Sequence, residues 1–226
     1  MMLSFHRIIS LTVLLPLATV SCSTARIDQS LPTVHPPHGA PLSIQVDPGP
    51  FPGESLIIEG LFPEVGSEAT PLERFEEVIE TALEESMCFE LIEQGPGQSR
   101  SDAAYRLEFT ITRMESEETK LGFFMSLLDQ EKLEYVVVAI SYQLFNNYDD
   151  SEIGKTKQVV DHYLLNHQNY RLQDHLGMKA YFDKLERDKR PWAEATMRSV
   201  VRLVADVKNR VDSHRRSSGA GDDDRG

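Results

Sequence analysis

The chain has 226 residues and a formal net charge of −13 at neutral pH, because 36 aspartates and glutamates outnumber 23 lysines and arginines. Nucleic-acid-binding proteins gain their affinity mainly by neutralising phosphates with basic side chains, so this charge argues against a nucleic acid as partner. The two cysteines exclude a framework of several disulfides, and the length suits one domain with flanking segments.

The first residues of the chain have the three-part order of a secretory leader. Arg7 supplies a positive charge, residues 8–18 are almost entirely apolar, and small residues follow as far as Cys22. The apolar run is much shorter than the roughly 20 residues that a membrane-spanning helix needs. A cleaved leader over residues 1–21 is therefore predicted.

The end of this leader, Val20-Ser21-Cys22, resembles the lipobox of bacterial lipoproteins, in which a small residue precedes the lipid-bearing cysteine. The resemblance implies that Cys22 is acylated and anchors the mature chain in a membrane. Thr19 departs from the aliphatic residue that is usual there. Ser23, which is not Asp, implies by the same resemblance the outer membrane, facing the periplasm. An ordinary signal peptide, cut near Ala18 or Ser21, would instead leave a periplasmic protein without an anchor.

Two segments of biased composition flank the predicted domain, which occupies residues 42–212. Residues 22–41 are rich in proline and are predicted to form a semi-extended tether, which could reach roughly 60 Å at about 3.1 Å per residue. Residues 213–226 have no apolar side chain larger than alanine and are predicted to form a disordered tail. His35 and His38 lie in the tether, but two histidines without a third ligand make a poor metal site.

Hydrophobic periodicity separates helices from strands within the domain. Thr70-Pro71-Leu72-Glu73 has the composition of a helix start, because Thr70 can cap, Pro71 suits the first turn and Glu73 completes a capping box. Apolar residues then recur at helical spacing and glutamates take the other face, which predicts a helix ending near Ser86 with a solvated acidic surface. A second long helix is predicted at residues 191–211. The predicted strands lie at residues 42–46, 56–62, 88–92, 105–112, 135–145 and 158–165, and a short extra helix lies around residues 180–185.

This order of elements predicts a two-layer α+β sandwich, in which a mixed or antiparallel sheet of about four to five strands packs against two helices. Over roughly residues 55–211 the layout resembles small Gram-negative lipoproteins, including the lipopolysaccharide-assembly lipoprotein and the auxiliary lipoproteins of ABC lipid transporters. The resemblance implies an accessory role, although fold alone does not fix function. The pieces that carry it are residues 87–91, 102–107, 135–145, 158–165 and 192–211.

The sequence contains no recognisable catalytic constellation. It lacks both the Gly-x-Ser-x-Gly elbow and the Gly-x-x-x-x-Gly-Lys phosphate loop. His162, His167 and His175 lack helical metal-site spacing and are interpreted as solvated surface histidines. Residues 149–152 lack the spacing of a calcium loop, and Cys88 is interpreted as a small buried apolar residue. We therefore expect a protein that is not an enzyme and that uses no cofactor and no metal.

Two segments are candidates for contact with a partner. Residues 120–128 form an apolar insertion in a charged connection, which would suit a protein or lipid partner if exposed, or would be plain core if folded back on the sheet. The side chains concerned are Leu121, Phe123, Phe124, Met125, Leu127 and Leu128. Residues 142–148 resemble a hairpin tip that could touch a partner, although a simple turn at Asn146 and Asn147 is favoured.

These features favour a non-enzymatic, membrane-anchored lipoprotein that acts as an accessory or assembly subunit of the cell envelope, with an envelope protein as partner. The alternative is a periplasmic module that holds a small ligand or lipid between sheet and helices near residues 123–128. A hydrolase is a weaker third hypothesis, because it would need catalytic carboxylates hidden among the surface ones.

Overall fold

The computed structural model describes residues 30–36, 39–48, 71–92, 102–120, 132–164 and 172–219. Within these ranges the chain forms strands and helices that alternate along the sequence. In chain order they are β1 (Leu42–Pro48), α1 (Pro71–Glu85), β2 (Phe89–Leu91), β3 (Tyr105–Lys120), β4 (Lys132–Asn146), β5 (Ser151–Glu152), β6 (Lys157–Leu164), α2 (Lys179–Phe182) and α3 (Arg190–Ser217). The strand predicted at residues 56–62 lies outside the described residues.

The described strands form one mixed sheet in the order β2-β1-β3-β4, with β5 and β6 both paired to the far edge of β4. Strand β1 runs parallel to both of its neighbours, and the other pairs are antiparallel. The prediction of a mixed sheet is confirmed. The sheet has six described strands rather than four or five, because the last edge strand is split at residues 153–156.

A side chain of α3 binds the backbone of the segment between β5 and β6. Nη1 of Arg210 donates hydrogen bonds to the carbonyl oxygens of Ile153, at 3.4 Å, and Lys155, at 2.8 Å. Gly154, between them, has a φ of +75°, a left-handed conformation that glycine adopts without steric cost. The guanidinium therefore satisfies carbonyl groups at the point where the strand ladder is interrupted.

Helices α1 and α3 pack on one face of the sheet and make the second layer. The predicted alternation of β3 is confirmed, because Tyr105, Leu107, Phe109 and Ile111 are all at most 8% exposed. The rings of Phe75 on α1 and Phe109 on β3 lie 5.9 Å apart between centroids. The apolar stripe of α3 is also buried, namely Met197, Val200, Val201, Val204, Val207 and Val211. The α+β sandwich is thus confirmed, and burial of this shared apolar surface is its main source of stability.

Helix α1 begins at Pro71, as the capping motif predicted, and ends at Glu85. Ser86 follows it, and its hydroxyl donates a hydrogen bond to the carbonyl oxygen of Leu83 while accepting one from the backbone N–H of Cys88. Met87 takes a φ of +54°, which turns the chain from helix into strand β2. Among the described residues, no helix combines the length and the apolar composition that crossing a bilayer requires.

The C-terminal tail starts later than predicted. Helix α3 continues to Ser217, so residues 213–217 are helical and not disordered. His214, Arg215 and Arg216 lie in the last helical turn, where positive charge is favourable against the negative end of the helix dipole. The prediction considered only the missing apolar side chains and overlooked this charge pattern.

The proline-rich tether is in part a packed segment. Residues 30–36, here called the strap, lie against the domain, and Leu31 and Val34 are half-buried against the hydrophobic core. Proline prevents regular secondary structure but leaves the apolar side chains beside it available for packing. Residues 22–41 were predicted to form a semi-extended tether that packs no core, and the strap differs from that prediction because Leu31 and Val34 pack against the domain.

Candidate functional site

A cleft of about 720 Å³ opens between α1 and the edge of the sheet formed by β1 and β2. Its apolar lining comes from the strands and their ends, and its polar lining comes mainly from α1. The apolar residues are Ile44, Val46, Leu91 and Ile92, and the polar ones are Gln45, Asp47, Glu76, Glu77, Glu80, Thr81, Glu84 and Tyr181. The volume lies in the range of about 300–1,000 Å³ that is usual for ligand pockets.

Helical spacing explains why α1 presents a row of carboxylates to this cleft. Glu76, Glu80 and Glu84 follow one another at four-residue intervals and therefore lie along one side of the helix. Phe75 and Ile79 lie on the side that faces the core and are fully buried. The sequence predicted this acidic face as solvated. Glu77 and Glu84 are indeed exposed, but Glu76 and Glu80 are half-buried in the wall of the cleft.

Electrostatics in the cleft disfavour further negative charge. Burial raises the pKa of the Glu76 carboxyl, and the nearby carboxylates of Asp47 and Glu73 raise it further. Asp47 itself accepts a hydrogen bond from Nε2 of Gln45 at 2.8 Å and lies 3.9 Å from Nε of Arg106. A cationic group that entered the cleft beside Glu76 would therefore offset the repulsion between Glu76 and the carboxylates of Asp47 and Glu73.

Helix α2 closes one end of the cleft through its tyrosine. The hydroxyl groups of Tyr181 on α2 and Thr81 on α1 are 2.9 Å apart and share a hydrogen bond. Gly177, which precedes α2, has a φ of +70°, and a Cβ atom there would come within 2.7 Å of Cγ of Glu85. The left-handed φ and this close contact both favour glycine at the position where α2 approaches α1.

The turn between β4 and β5 presents a second candidate surface. Tyr148 is 80% exposed at its tip. Asn147 fastens the turn to the start of β3, because its backbone N–H and its side-chain amide donate to the carbonyl oxygens of Ala104 and Ala103, both at 3.0 Å. Asp149 accepts hydrogen bonds from the backbone N–H and the hydroxyl of Ser151. The prediction of a turn is confirmed, and this turn holds an exposed aromatic ring on a fixed support.

A buried ionic cluster joins β6 to α3. The side chain of Asp161 is 1% exposed, and its two oxygens lie 3.3 Å from Nε of Arg198 and 2.6 Å from Nε of Arg202. Nη2 of Arg202 also donates a hydrogen bond to the carbonyl oxygen of Ser30 in the strap, at 2.7 Å. The sequence analysis missed this cluster, although an aspartate on the inward-facing side of an alternating strand signals a buried partner.

Two of the predicted surface histidines are partly buried. The side chain of His175 is 12% exposed and lies 3.1 Å from Oε1 of Glu194, which is itself buried. The ring of His162 is half-buried beside Tyr135, with centroids 5.5 Å apart, and burial lowers its pKa. Solvation was predicted because neither contact can be read from local spacing. His167 lies outside the described residues.

Among the residues that the structure describes, no group of three or more His, Cys, Asp or Glu side chains is arranged to hold a metal ion. Cys88 is buried, as predicted, and burial is the main cause that raises the pKa of its thiol. Its Sγ lies 3.3 Å from the carbonyl oxygen of His35 in the strap. The lipidation candidate Cys22 and the contact candidates Leu121, Phe123, Phe124, Met125, Leu127 and Leu128 lie outside the described residues.

No family model and no curated protein matches this chain, whereas solved structures do. A hypothetical protein from Chlamydia trachomatis is 14% identical, with a TM-score of 0.51 over 77% of this chain and 99% of its own. A protein from Xanthomonas campestris is 13% identical, with a TM-score of 0.43 over 80% and 95% of the two chains. A lipoprotein from Neisseria meningitidis is also 13% identical, with a TM-score of 0.32 over 62% and 93%. At these sequence identities the similarity is evidence for the fold alone. The evidence comes from the Chlamydia protein, whose TM-score is above 0.5.

Proposed function

We propose that this chain is a non-enzymatic lipoprotein of the bacterial envelope, anchored through Cys22, whose folded domain binds a basic segment of a protein partner in the cleft beside α1. Delivery to the outer membrane and a role in lipopolysaccharide assembly or lipid transport are the finer form of the proposal. That finer form rests on the resemblance of the leader and of the order of elements.

The cleft is the observation that carries the binding role. It combines a concave shape with a mainly polar lining, in which a row of carboxylates along α1 lies beside a smaller apolar part from the strands. Burial is the main cause that raises the pKa of Glu76, and the carboxylates of Asp47 and Glu73 raise it further, so a positive charge beside Glu76 would be favourable. A lysine or arginine side chain has an apolar stem and a cationic end, so it matches both parts of the lining.

The anchor is tested by intact mass of the protein extracted from membranes. We expect the native protein to have the mass of residues 22–226 plus acyl chains, because Cys22 would carry the lipid. Cys22→Ala should lose the acyl mass, whereas the matched variant Cys88→Ala should keep it. A native mass without lipid, cut at another residue, would remove the anchor from the proposal.

The cleft is tested by a photoreactive residue placed at Glu80, inside it, and at Glu186, which is exposed and lies outside it. In envelope membranes we expect Glu80 to give a crosslink to one partner, mapped to a Lys- or Arg-rich segment, and Glu186 to give none. Glu77→Lys combined with Glu84→Lys should abolish the crosslink by charge repulsion, while Glu186→Lys combined with Asp188→Lys should not. Recovery of the uncrosslinked monomer alone at both positions would contradict partner binding.

A small cationic ligand is the second candidate, because the volume of the cleft also suits a single organic molecule. Native mass spectrometry of the purified protein should then find an added mass that the Glu77→Lys, Glu84→Lys variant loses. A bare protein mass in both forms would reject this alternative and leave the protein partner as the occupant.

A further inference from the structure

The strap crosses the helical layer of the domain. At its start, the carbonyl oxygen of Ser30 accepts a hydrogen bond from Arg202, whose guanidinium also pairs with Asp161 on β6. Near its end, the carbonyl oxygen of His35 lies 3.3 Å from Sγ of Cys88, between α1 and β2. The strap therefore connects the β6 side of α3 with the α1 side of the sheet.

The apolar residues of the strap are spaced for one-sided packing. Leu31 and Val34 are three residues apart, which is the repeat of the polyproline II helix, so a proline-rich segment places both on the same side. Both are half-buried against the core, whereas Pro32 and Thr33 between them are exposed. Contacts of both the backbone and the side chains thus hold the strap on the domain.

We infer that docking of the strap shortens the free part of the tether to residues 23–29, here called the leash. The leash then holds the strap-bearing face of the helical layer beside the membrane surface. The inference rests on the proposed anchor at Cys22. Only residues 23–29 then separate the lipid from Ser30, and they can reach at most roughly 25–30 Å. A free tether as far as β1 would reach about twice that distance. Docking therefore limits the distance of the domain from the bilayer. It also determines which face of the domain is turned toward the bilayer.

The helix beneath the strap is suited to that position. In a chain with a net charge of −13, α3 carries seven lysines and arginines against three acidic residues. Arg198 and Arg202 are engaged by Asp161, but Arg215 and Arg216 lie in the last turn of the helix. The helix that binds the start of the strap is therefore net basic in an acidic chain, and the surface of an anionic bilayer attracts lysine and arginine.

Docking of the strap is tested first without a membrane, in a full mature chain carrying Cys22→Ser. The test variant combines Leu31→Asp and Val34→Asp, and the matched control is Thr33→Asp, which adds a charge at an exposed strap position. Limited proteolysis, read by fragment mass, should cut the test variant within residues 30–36 at least tenfold faster than the native strap or the control. Cooperative thermal unfolding of each variant shows that the domain is intact. If the native strap is cut as fast as the test variant, the inference is wrong whatever Cys22 carries.

The leash is then tested with lipidated protein in a supported bilayer, where neutron reflectometry measures the height of the protein layer. We expect the Leu31→Asp, Val34→Asp layer to be broader and its centre farther from the bilayer, by up to roughly 30 Å for the residues released. Thr33→Asp should match the native protein. Equal heights for native and test protein, with lipid confirmed by mass, would overturn the inference. Absence of lipid at Cys22, with a protected strap, would instead refute the anchor and leave strap docking intact.

Discussion

The hydroxyl of Tyr142 donates a hydrogen bond to the carboxylate of Asp206, 2.6 Å away, and so joins the middle of the sheet to α3. The other carboxylate oxygen of Asp206 is 2.5 Å from Nζ of Lys157 on β6. The guanidinium of Arg210 lies over the Tyr142 ring, with Cζ 5.0 Å from the centroid. This one tyrosine, 1% exposed, thus connects both layers of the domain.

Removing that hydroxyl should destabilise the protein. We expect Tyr142→Phe to lower the free energy of unfolding by about 1–2 kcal/mol, because a buried hydrogen bond to a charged group is lost while Lys157 still pairs with Asp206. Urea unfolding measures this, and Tyr148→Phe, at an exposed ring, is the control and should change little. Burial raises the pKa of Tyr142 above its usual value of 10.0, so the native protein should lose stability as the pH rises beyond about 10. A Tyr142→Phe variant with native stability would contradict this role.

Asp161 is buried and pairs with two arginines, so it should be sensitive to substitution. Asp161→Asn removes the buried negative charge that pairs with both Arg198 and Arg202, which should cost about 3 kcal/mol. Asp150→Asn is the matched control, because Asp150 pairs with Arg106 but its side chain is 65% exposed, so the loss should stay below about 1 kcal/mol. If the two substitutions lowered the free energy of unfolding in urea equally, burial of the cluster would make no contribution to stability.

Glu76 should destabilise the folded protein at neutral pH. Its pKa is raised above 4.5 in the folded state, so the native protein binds the proton more tightly and loses stability as the pH rises through that range. Glu76→Gln should therefore raise the free energy of unfolding at pH 7 by a few tenths of a kcal/mol, and the gain should vanish near pH 4. Glu77→Gln, at an exposed neighbouring position, should gain less. A loss of stability in Glu76→Gln at pH 7 would mean that its charge is paired in the fold.

The thiol of Cys88 should react slowly until the domain opens. It is buried, burial raises its pKa, and the strap carbonyl of His35 lies against it. In the Cys22→Ser chain, which has one thiol, alkylation by iodoacetamide at pH 8 should be far slower than for free cysteine. Urea should restore the fast rate. Alkylation of the native protein at the rate of free cysteine would contradict the described burial.

Much of the fold could be predicted because it depends on local periodicity. The alternation of β3 and the stripe of α3 each identify an element and the face that it buries, as Leu107 and Val204 illustrate. The strap could not be predicted, because its docking depends on Arg202 and Cys88, which are distant in sequence. The end of α3 was misplaced because helix-terminal charge, and not apolar content, extends it to Ser217.

The candidate site was harder to predict than the fold. Helical spacing showed correctly that α1 has one acidic side, but only the position of β1 and β2 decides which glutamates face a cleft and which face water. Glu76 and Glu77 are neighbours in sequence, yet one is half-buried and the other exposed. The same reasoning applies to Asp161, whose burial depends on two arginines of a helix that follows much later in the chain.

The parallel pairing of β1 also has a consequence for the order of folding. Strand β1 comes first in the chain, but both strands that flank it come later, and both pairings enclose long stretches of sequence. Strands β3, β4 and β6 pair with sequence neighbours in antiparallel fashion and can assemble among themselves. Since closing long loops is slow, β1 should join a sheet that already exists. In the proposed lipoprotein, which would be exported from its N-terminus, strand β1 would cross the membrane first and yet be among the last to pair.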